Sequence, residues 1–309
     1  VREKGSAMYD NALLPGETVA LTPAQEDARL IAEARVRFFR EYPTRWQRML
    51  ATWRQPPRAM MGWLMYAASY LFTTHGVRWA LDPVIPASRL LPDLPGELPM
   101  EVLADLSFLL LTHDHDDHVD YRLLAALRSS GVRFVVPEHM LATVRAHANP
   151  HEKQLIVAQH GQRLELDGIG VLPFPGWHWY RQADGQLCGL DATGYLVEVD
   201  GQRWLFPGDV RDYGVPEIRQ LGPVDLLFAH LWLGRGCAGD SVPPLLDAFC
   251  DYLRACAPRA VVLAHLYEFS RATDDLWHRR HVALVRSCWG ALAPNVPLRA
   301  PEVGEEMGL

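Results

Sequence analysis

Lysine is almost missing from this chain. Lys4 and Lys153 are the only two among 309 residues, and every other basic side chain is arginine. We read that bias as the mark of a GC-rich genome, not of chemistry. With 30 basic against 37 acidic residues the formal net charge is −7. That balance excludes the broad basic surface on which nucleic-acid binding depends. Cysteine is sparse: Cys188, Cys237, Cys250, Cys256 and Cys288 are scattered and form no Cys-x-x-Cys pair. Their odd number and spacing predict reduced thiols in a cytoplasmic protein. Long apolar runs are missing too. The most apolar early stretch, residues 59–72, falls short of the roughly 20 residues needed to cross a bilayer and carries Gly62 and Ser69. A buried strand or helix is expected there, and peripheral membrane contact is not. No charged segment followed by an apolar core marks a secretory signal, and Met8 is expected as the natural start, with residues 1–7 added ahead of it. No internal repeat or low-complexity tract stands out.

What the chain does have is the heptapeptide Thr112-His113-Asp114-His115-Asp116-Asp117-His118, directly after the largely apolar run 106–111. Three imidazoles and three carboxylates in seven residues are ligands that Zn²⁺, Mn²⁺ and Fe²⁺ accept. The run before them predicts a buried strand that delivers them to a sheet edge. His113 and His115 are two apart, so on an extended backbone they project to one side and can share an ion. Asp117 and His118 follow as the chain turns and would face a second ion. Asp114 and Asp116 are expected to point to solvent or to support the ligands. Two ions roughly 3.5–4 Å apart can share a hydroxide and clamp a displacement from both sides.

At this point the sequence resembles the metallo-β-lactamase superfamily, whose signature is His-x-His-x-Asp-His in a strand-to-helix loop. The resemblance requires a further His, an Asp and a last His, each after a later strand. Residues 175–181 supply His178, the apolar strand 204–206 leads to Gly208-Asp209, and residues 260–264 lead to His265. The resemblance then implies His113, His115 and His178 on the first metal, and Asp117, His118 and His265 on the second. Asp209 would bridge the two. The implied cofactors are two divalent ions, Zn²⁺ first, with Mn²⁺ or Fe as alternatives. Asp117 would also be catalytic, orienting the shared hydroxide.

Within the superfamily the resemblance is to the outer-membrane-protein-regulator (RomA)-like group, with N-acyl-phosphatidylethanolamine phospholipase D and ascorbate-6-phosphate lactonase. It covers about residues 64–285 and rests on Leu81-Asp82-Pro83-Val84 and His178-Trp179. The arginine of the latter motif, Arg181, comes one position early. Met65-Tyr66 and His230-Leu231-Trp232-Leu233-Gly234 also depart from the group's pattern. The implied activity is a binuclear hydrolase acting on a phosphodiester, lactone or related ester of a small molecule or lipid. The alternative is a non-hydrolytic enzyme, such as a diiron oxygenase; His115 favours hydrolysis. Arg181 is the expected grip on an anionic substrate group, with Tyr180 and His230 as further substrate contacts. Trp177, Trp179 and Trp232 are candidates for an aromatic wall, and Tyr267 and Glu268 for the rim. The partner is thus a small molecule, not nucleic acid.

The remaining pattern predicts architecture. Residues 22–53 carry apolar positions at helical spacing, opened by Thr22 as N-cap with Pro23 at the first helical position. Pro56-Pro57 then closes an N-terminal helical extension, residues 1–60, ahead of a catalytic domain, residues 61–309. Strands are expected at 69–72 and 77–81 around His75-Gly76, and at 195–199 and 202–206 around Asp200-Gly201. Strands over 132–136, 157–167 and 170–173, and helices over 121–128, 244–255 and 276–288, fill the rest. The implied fold is an α/β four-layer αβ/βα sandwich with the site at one edge of two sheets.

Overall fold

The computed structural model describes residues 21–55, 60–86, 100–182 and 184–309. The expected start at Met8 and the Pro56-Pro57 break lie outside them. Two seven-stranded sheets dominate. The first contains β1 (Met61–Tyr66), β2 (Ser69–Thr74), β3 (Val77–Leu81), β4 (Phe108–Leu110), β5 (Arg133–Pro137), β6 (Leu155–Ala158) and the C-terminal β16 (Glu306–Gly308), in the order β16-β1-β2-β3-β4-β5-β6. The second contains β7 (Leu164–Leu166), β8 (Ile169–Pro175), β11 (Thr193–Val199), β12 (Gln202–Phe206), β13 (Val224–His230), β14 (Pro258–Ala264) and β15 (Leu298–Arg299), in the order β15-β14-β13-β12-β11-β8-β7. A small hairpin, β9 (Tyr180–Arg181) with β10 (Leu187–Cys188), stands apart from both. The helices are α1 (Pro23–Trp53), α2 (Tyr121–Ala126), α3 (Leu141–Ala148), the short α4 (Ile218–Leu221), α5 (Leu246–Ala255) and α6 (Arg279–Leu292). Among the described residues no helix is long and apolar enough to cross a membrane.

Both faces of each sheet are covered, so strand residues of either parity are apolar and alternate between two cores. Tyr70 and Phe72 of β2 pack with Tyr195, Phe206 and Phe228 between the sheets, while Leu71 joins the cluster under the helices. In β5, Val135 faces the other sheet while Phe134 and Val136 face the helices. The inter-sheet core is aromatic: Phe72 stacks on Trp79 at 4.2 Å and Phe206 on Phe228 at 4.3 Å between ring centroids. The outer face of the second sheet packs against α5 and α6 through Leu227, Leu263, Phe249, Leu253 and Val285. The four-layer α/β arrangement is the one the sequence implied.

Helix α1 starts where its capping signal placed it. Thr22 Oγ accepts from Gln25 N–H at 3.3 Å, and Gln25 Oε1 accepts from Thr22 N–H at 2.9 Å. Its buried stripe of Tyr42, Trp46, Met49, Leu50 and Trp53 belongs to the same core as the outer face of the first sheet. Trp53 is fully buried, and the Arg78 guanidinium lies 5.3 Å from its ring. The far end of the chain also returns to this sheet, as β16 pairs antiparallel with β1.

Strand direction fixes where chemistry can sit. β3, β4 and β5 run parallel, as do β12, β13 and β14. The C-terminal ends of each set face the crevice where an α/β sheet presents its functional loops. Asp82, Thr112–His118, Asp209, His230 and His265 all sit at or just beyond such ends.

Candidate metal centre

Three hydrogen bonds tie the two sheet edges together around this point. Thr193 N–H donates to Thr112 O at 2.9 Å, Tyr195 Oη to Leu111 O at 2.6 Å and His265 N–H to Ala67 O at 2.7 Å. The backbone here is unusual. Gly208, just before Asp209, has φ +69°, and the non-glycine residues Asp82 and His265 have φ +44° and +67°. Such conformations cost free energy and persist only where the surroundings hold them. They turn each side chain sharply off its strand end towards the shared edge.

The seven ligand candidates converge in two adjoining groups. In the first, one donor atom each from His113, His115 and His178 lies within 4.8 Å of the others, and His113 Nε2 stands 3.2 Å from His115 Nδ1. In the second, Asp117, His118 and His265 meet in the same way, with His265 Nε2 3.1 Å from Asp117 Oδ2. Asp209 lies beside the second group: its Oδ1 is 3.3 Å from His118 Nε2, and its Oδ2 is 3.5 Å from His265 Nε2. His113 and His118 rings are 4.0 Å apart, so the groups abut. All of these side chains are buried except His115, which is half-buried.

The donors are in the right chemical state for a cation. Burial holds His113 well below the ordinary imidazole value, and brings His178 to about 3 and His265 to about 4. These rings are neutral at physiological pH and carry a free lone pair. Burial works against ionisation of Asp117 and Asp209 as well. Their neighbours outweigh it, the charge of His118 and a hydrogen bond from His265 at Asp117, and contact with His265 together with the charges of Arg211 and His118 at Asp209, so both stay ionised. His118 goes the other way: burial would lower it, but Asp209 and Asp117 raise it well above 6.5. The second group thus gathers positive charge even as a protonated ring. His118 Nε2 and His178 Nε2 are buried without a hydrogen-bond partner among the described residues, one in each group. A buried polar atom left unpaired is costly; a divalent ion in each group would satisfy it, and imidazole with carboxylate is the donor set zinc accepts.

Supporting contacts orient the ligands. Asp82, fully buried, accepts from Thr112 N–H at 2.7 Å and from His118 Nδ1–H at 2.7 Å, which turns His118 Nε2 towards the carboxylates. His230 is buried too, and its Nδ1 lies 3.0 Å from Asp209 Oδ1, so it meets the centre and not a substrate rim. Arg211 donates to Asp209 Oδ2 at 2.7 Å, with its guanidinium 4.8 Å from the Trp232 ring. Asp114 accepts from Tyr121 Oη, whereas Asp116 lines the cleft.

That cleft, of about 440 Å³, opens over the centre. His115, Asp117 and His178 form its floor, and Tyr180, Trp232, Glu268, Arg211, Arg235 and Arg271 line its walls. Arg181 is absent from that lining. β9 turns it outwards, exposed, where it donates to Gly185 O at 2.7 Å. The alternation of a strand explains the difference: Tyr180 faces the cleft, so its neighbour cannot. The cleft arginines were missed because nothing in their local sequence marks them; only Arg211, two residues after Asp209, stands near a recognisable motif. Trp177 packs on Phe174 and Trp179 is exposed, leaving Trp232 and Tyr180 as the aromatic wall.

Comparison with known proteins identifies a family and a fold. A family model described as a β-lactamase superfamily domain matches residues 78–266, more than half of the chain. A UPF0173 metal-dependent hydrolase of Thermococcus onnurineus is 29% identical over 130 residues, covering 41% of this chain and 54% of that protein. The chain thus spans about half the length of the curated relatives it matches. Among solved structures, Igni18, a metallo hydrolase from Ignicoccus hospitalis, superposes with a TM-score of 0.55 at 19% identity, covering 80% of this chain and 97% of that one. CmlA, a diiron β-hydroxylase from Streptomyces venezuelae, gives 0.57 at 17% identity, covering 82% of this chain and 55% of that one. At these identities the structural likeness is one of fold.

Proposed function

The chain belongs to the β-lactamase superfamily domain family, and from that premise we propose that it is a metal-dependent hydrolase with a two-ion centre. The observation that carries the reading is the convergence of two abutting histidine and carboxylate groups beneath one cleft, each with a buried nitrogen, His118 Nε2 or His178 Nε2, that has no hydrogen-bond partner among the described residues. His113, His115 and His178 would hold the first ion, Asp117, His118 and His265 the second, and Asp209 would serve both. Zn²⁺ suits the donors, with Mn²⁺ or Fe as alternatives. Ions bound there supply Lewis acidity and lower the pKa of water from 15.7 to about 7.

The chain's own residues supply the rest. Asp117, ionised and held by His265 and by Arg271 at 3.4 Å, orients the attacking water. Asp209 is kept in place from three sides by Arg211, His230 and His265. Trp232 and Tyr180 give the substrate an apolar wall. Arg235 takes the role expected of Arg181. Its Nε donates to Tyr180 Oη at 2.8 Å, and no carboxylate pairs with it among the described residues, so its remaining donors are available to a substrate anion. The substrate is therefore a small phosphodiester, or a lactone or ester carrying an anionic group, within a cytoplasmic setting. Affinity to the phospholipase D and ascorbate-6-phosphate lactonase group is supported by Asp82-Pro83 and His178-Trp179 but not by Arg181. For a diiron oxygenase, only likeness of fold speaks.

The test is turnover of bis-p-nitrophenyl phosphate and of a neutral lactone by chelator-stripped protein reloaded with zinc, manganese or iron. Chelator-sensitive hydrolysis, abolished in Asp117→Ala, is expected. Arg235→Ala should raise KM for the phosphodiester by about ten- to a hundredfold, the worth of a charge-assisted contact, and change the lactone little. Product formed only with iron and oxygen would overturn the hydrolase reading.

A further inference from the structure

A second cavity, of about 580 Å³, lies between α1, α6 and the C-terminal segment. The size is that of a small-molecule pocket, roughly 300–1,000 Å³. It is separate from the cleft over the metal centre, and the segment after His265 divides the two. Leu266, Tyr267 and Phe269 line the second cavity, while Glu268 and Arg271 line the cleft.

Phe38, Leu64, Phe269 and Val282 give this cavity an apolar interior, buried or half-buried in each case. Its charged residues are unbalanced. Glu41 and Glu302 both pair with Arg45, at 2.9 and 2.8 Å. Arg37, Arg279 and Arg286 also line it; all three are exposed, and none has a carboxylate partner among the described residues. Exposed guanidinium groups around an apolar interior complement one kind of molecule, an apolar chain that ends in an anion. Guanidinium favours carboxylate over simpler anions because it offers two parallel donors. A cation would meet three uncompensated like charges, and a neutral chain would leave them unused.

We propose that this cavity is a second ligand site, for a monomeric fatty-acid-like carboxylate, independent of the metal centre. The probe is dodecanoate, titrated calorimetrically into protein stripped of metal with a chelator, so that binding to ions in the cleft does not contribute. Saturable binding of one dodecanoate per chain is expected, with no binding of dodecyltrimethylammonium. The double variant Arg37→Ala/Arg286→Ala should weaken it by about tenfold or more. Ala283→Trp, which fills the cavity from its exposed edge, should abolish it, whereas Arg235→Ala in the other cleft should leave it unchanged. The proposal is overturned by the absence of saturable binding, by equal affinity for the cationic amphiphile or for dodecanol, or by wild-type affinity in Ala283→Trp. Because the protein is metal-free, none of these results depends on the hydrolase reading.

Discussion

Replacing Asp82 by asparagine should weaken the second metal ion's binding without removing the fold. In the native protein Asp82 Oδ1 accepts from Thr112 N–H at 2.7 Å, and Oδ2 accepts from Thr112 Oγ1 at 2.5 Å and from His118 Nδ1 at 2.7 Å. A carboxylate can only accept, so His118 keeps its proton on Nδ1, and the proton an ion must displace is the one on Nε2, the nitrogen directed at Asp117 and Asp209. In Asp82→Asn, the amide oxygen keeps the Thr112 N–H and the NH₂ replaces Oδ2. That group donates, so His118 Nδ1 becomes the acceptor and the ring keeps its proton on Nε2, where a ligand needs a lone pair. Loss of such an orienting partner typically costs 10–100-fold in metal affinity, roughly 1.4–2.7 kcal/mol. The lost charge-assisted hydrogen bonds should lower folding stability by about 1.5–3 kcal/mol. Competition against a chromophoric chelator would measure the affinities of both ions, with circular dichroism to show that the variant is folded. The first ion, on His113, His115 and His178, should be affected less, because Asp82 reaches His113 only through Thr112 Oγ1, 2.9 Å from His113 Nδ1. Two ions bound at wild-type affinity in a folded Asp82→Asn protein would refute the tautomer argument, and with it the supporting role given to Asp82.

Two other expectations concern the scaffold. His281 accepts from His278 N–H through Nδ1 at 3.0 Å while its Nε2 donates to Ala238 O at 2.9 Å, so the fold requires the neutral ring. Its folded value is about 4, held there chiefly by burial, against 6.5 for the free side chain. Between these values the unfolded chain takes up a proton that the native one refuses. Its contribution is therefore full above pH 6.5 and is lost as pH falls towards 4, by up to roughly 3 kcal/mol. His281→Gln, which can make both bonds without titrating, should show a shallower loss between pH 7.5 and 5 in urea unfolding; an unchanged slope would count against this. Trp53→Ala should destabilise the whole protein by roughly 3–5 kcal/mol, in a single transition, because its ring lies in the core shared by α1 and the first sheet. A loss below about 1 kcal/mol, or a separate early transition, would show that α1 folds apart from the sandwich.

Local signals in the sequence were sufficient wherever the physics is local. The Thr22-Pro23-Ala24-Gln25 cap opens α1, Asp200-Gly201 turns β11 into β12, and the histidine-rich loop follows a buried strand, because caps, tight turns and strand burial depend on a few neighbouring residues. Boundaries slipped where neighbours compete. The helix expected over 121–128 stops being α-helical at Ala126, and the last helix begins at Arg279 because His281 folds back on His278 to cap it. The order of His113, His178, Asp209 and His265 could be read from the chain, since each follows an apolar strand.

Other features were decided by the tertiary structure alone. The short segment Glu306–Gly308 becomes an edge strand because β1 offers it an edge to pair with and the inter-sheet core takes up Met307. Tyr180 faces the cleft and Arg181 leaves it because of the register of a two-residue hairpin. Arg211, Arg235 and Arg271 meet over the centre from three separate loops, a convergence across distant segments that no spacing along the chain records. His230 was anticipated as a substrate contact, yet the parallel pairing of β13 with β14 carries it down to Asp209. Sequence determines which side chains stand at strand ends; which of them share one volume depends on strand order and direction, and these are set by the burial of two whole sheets.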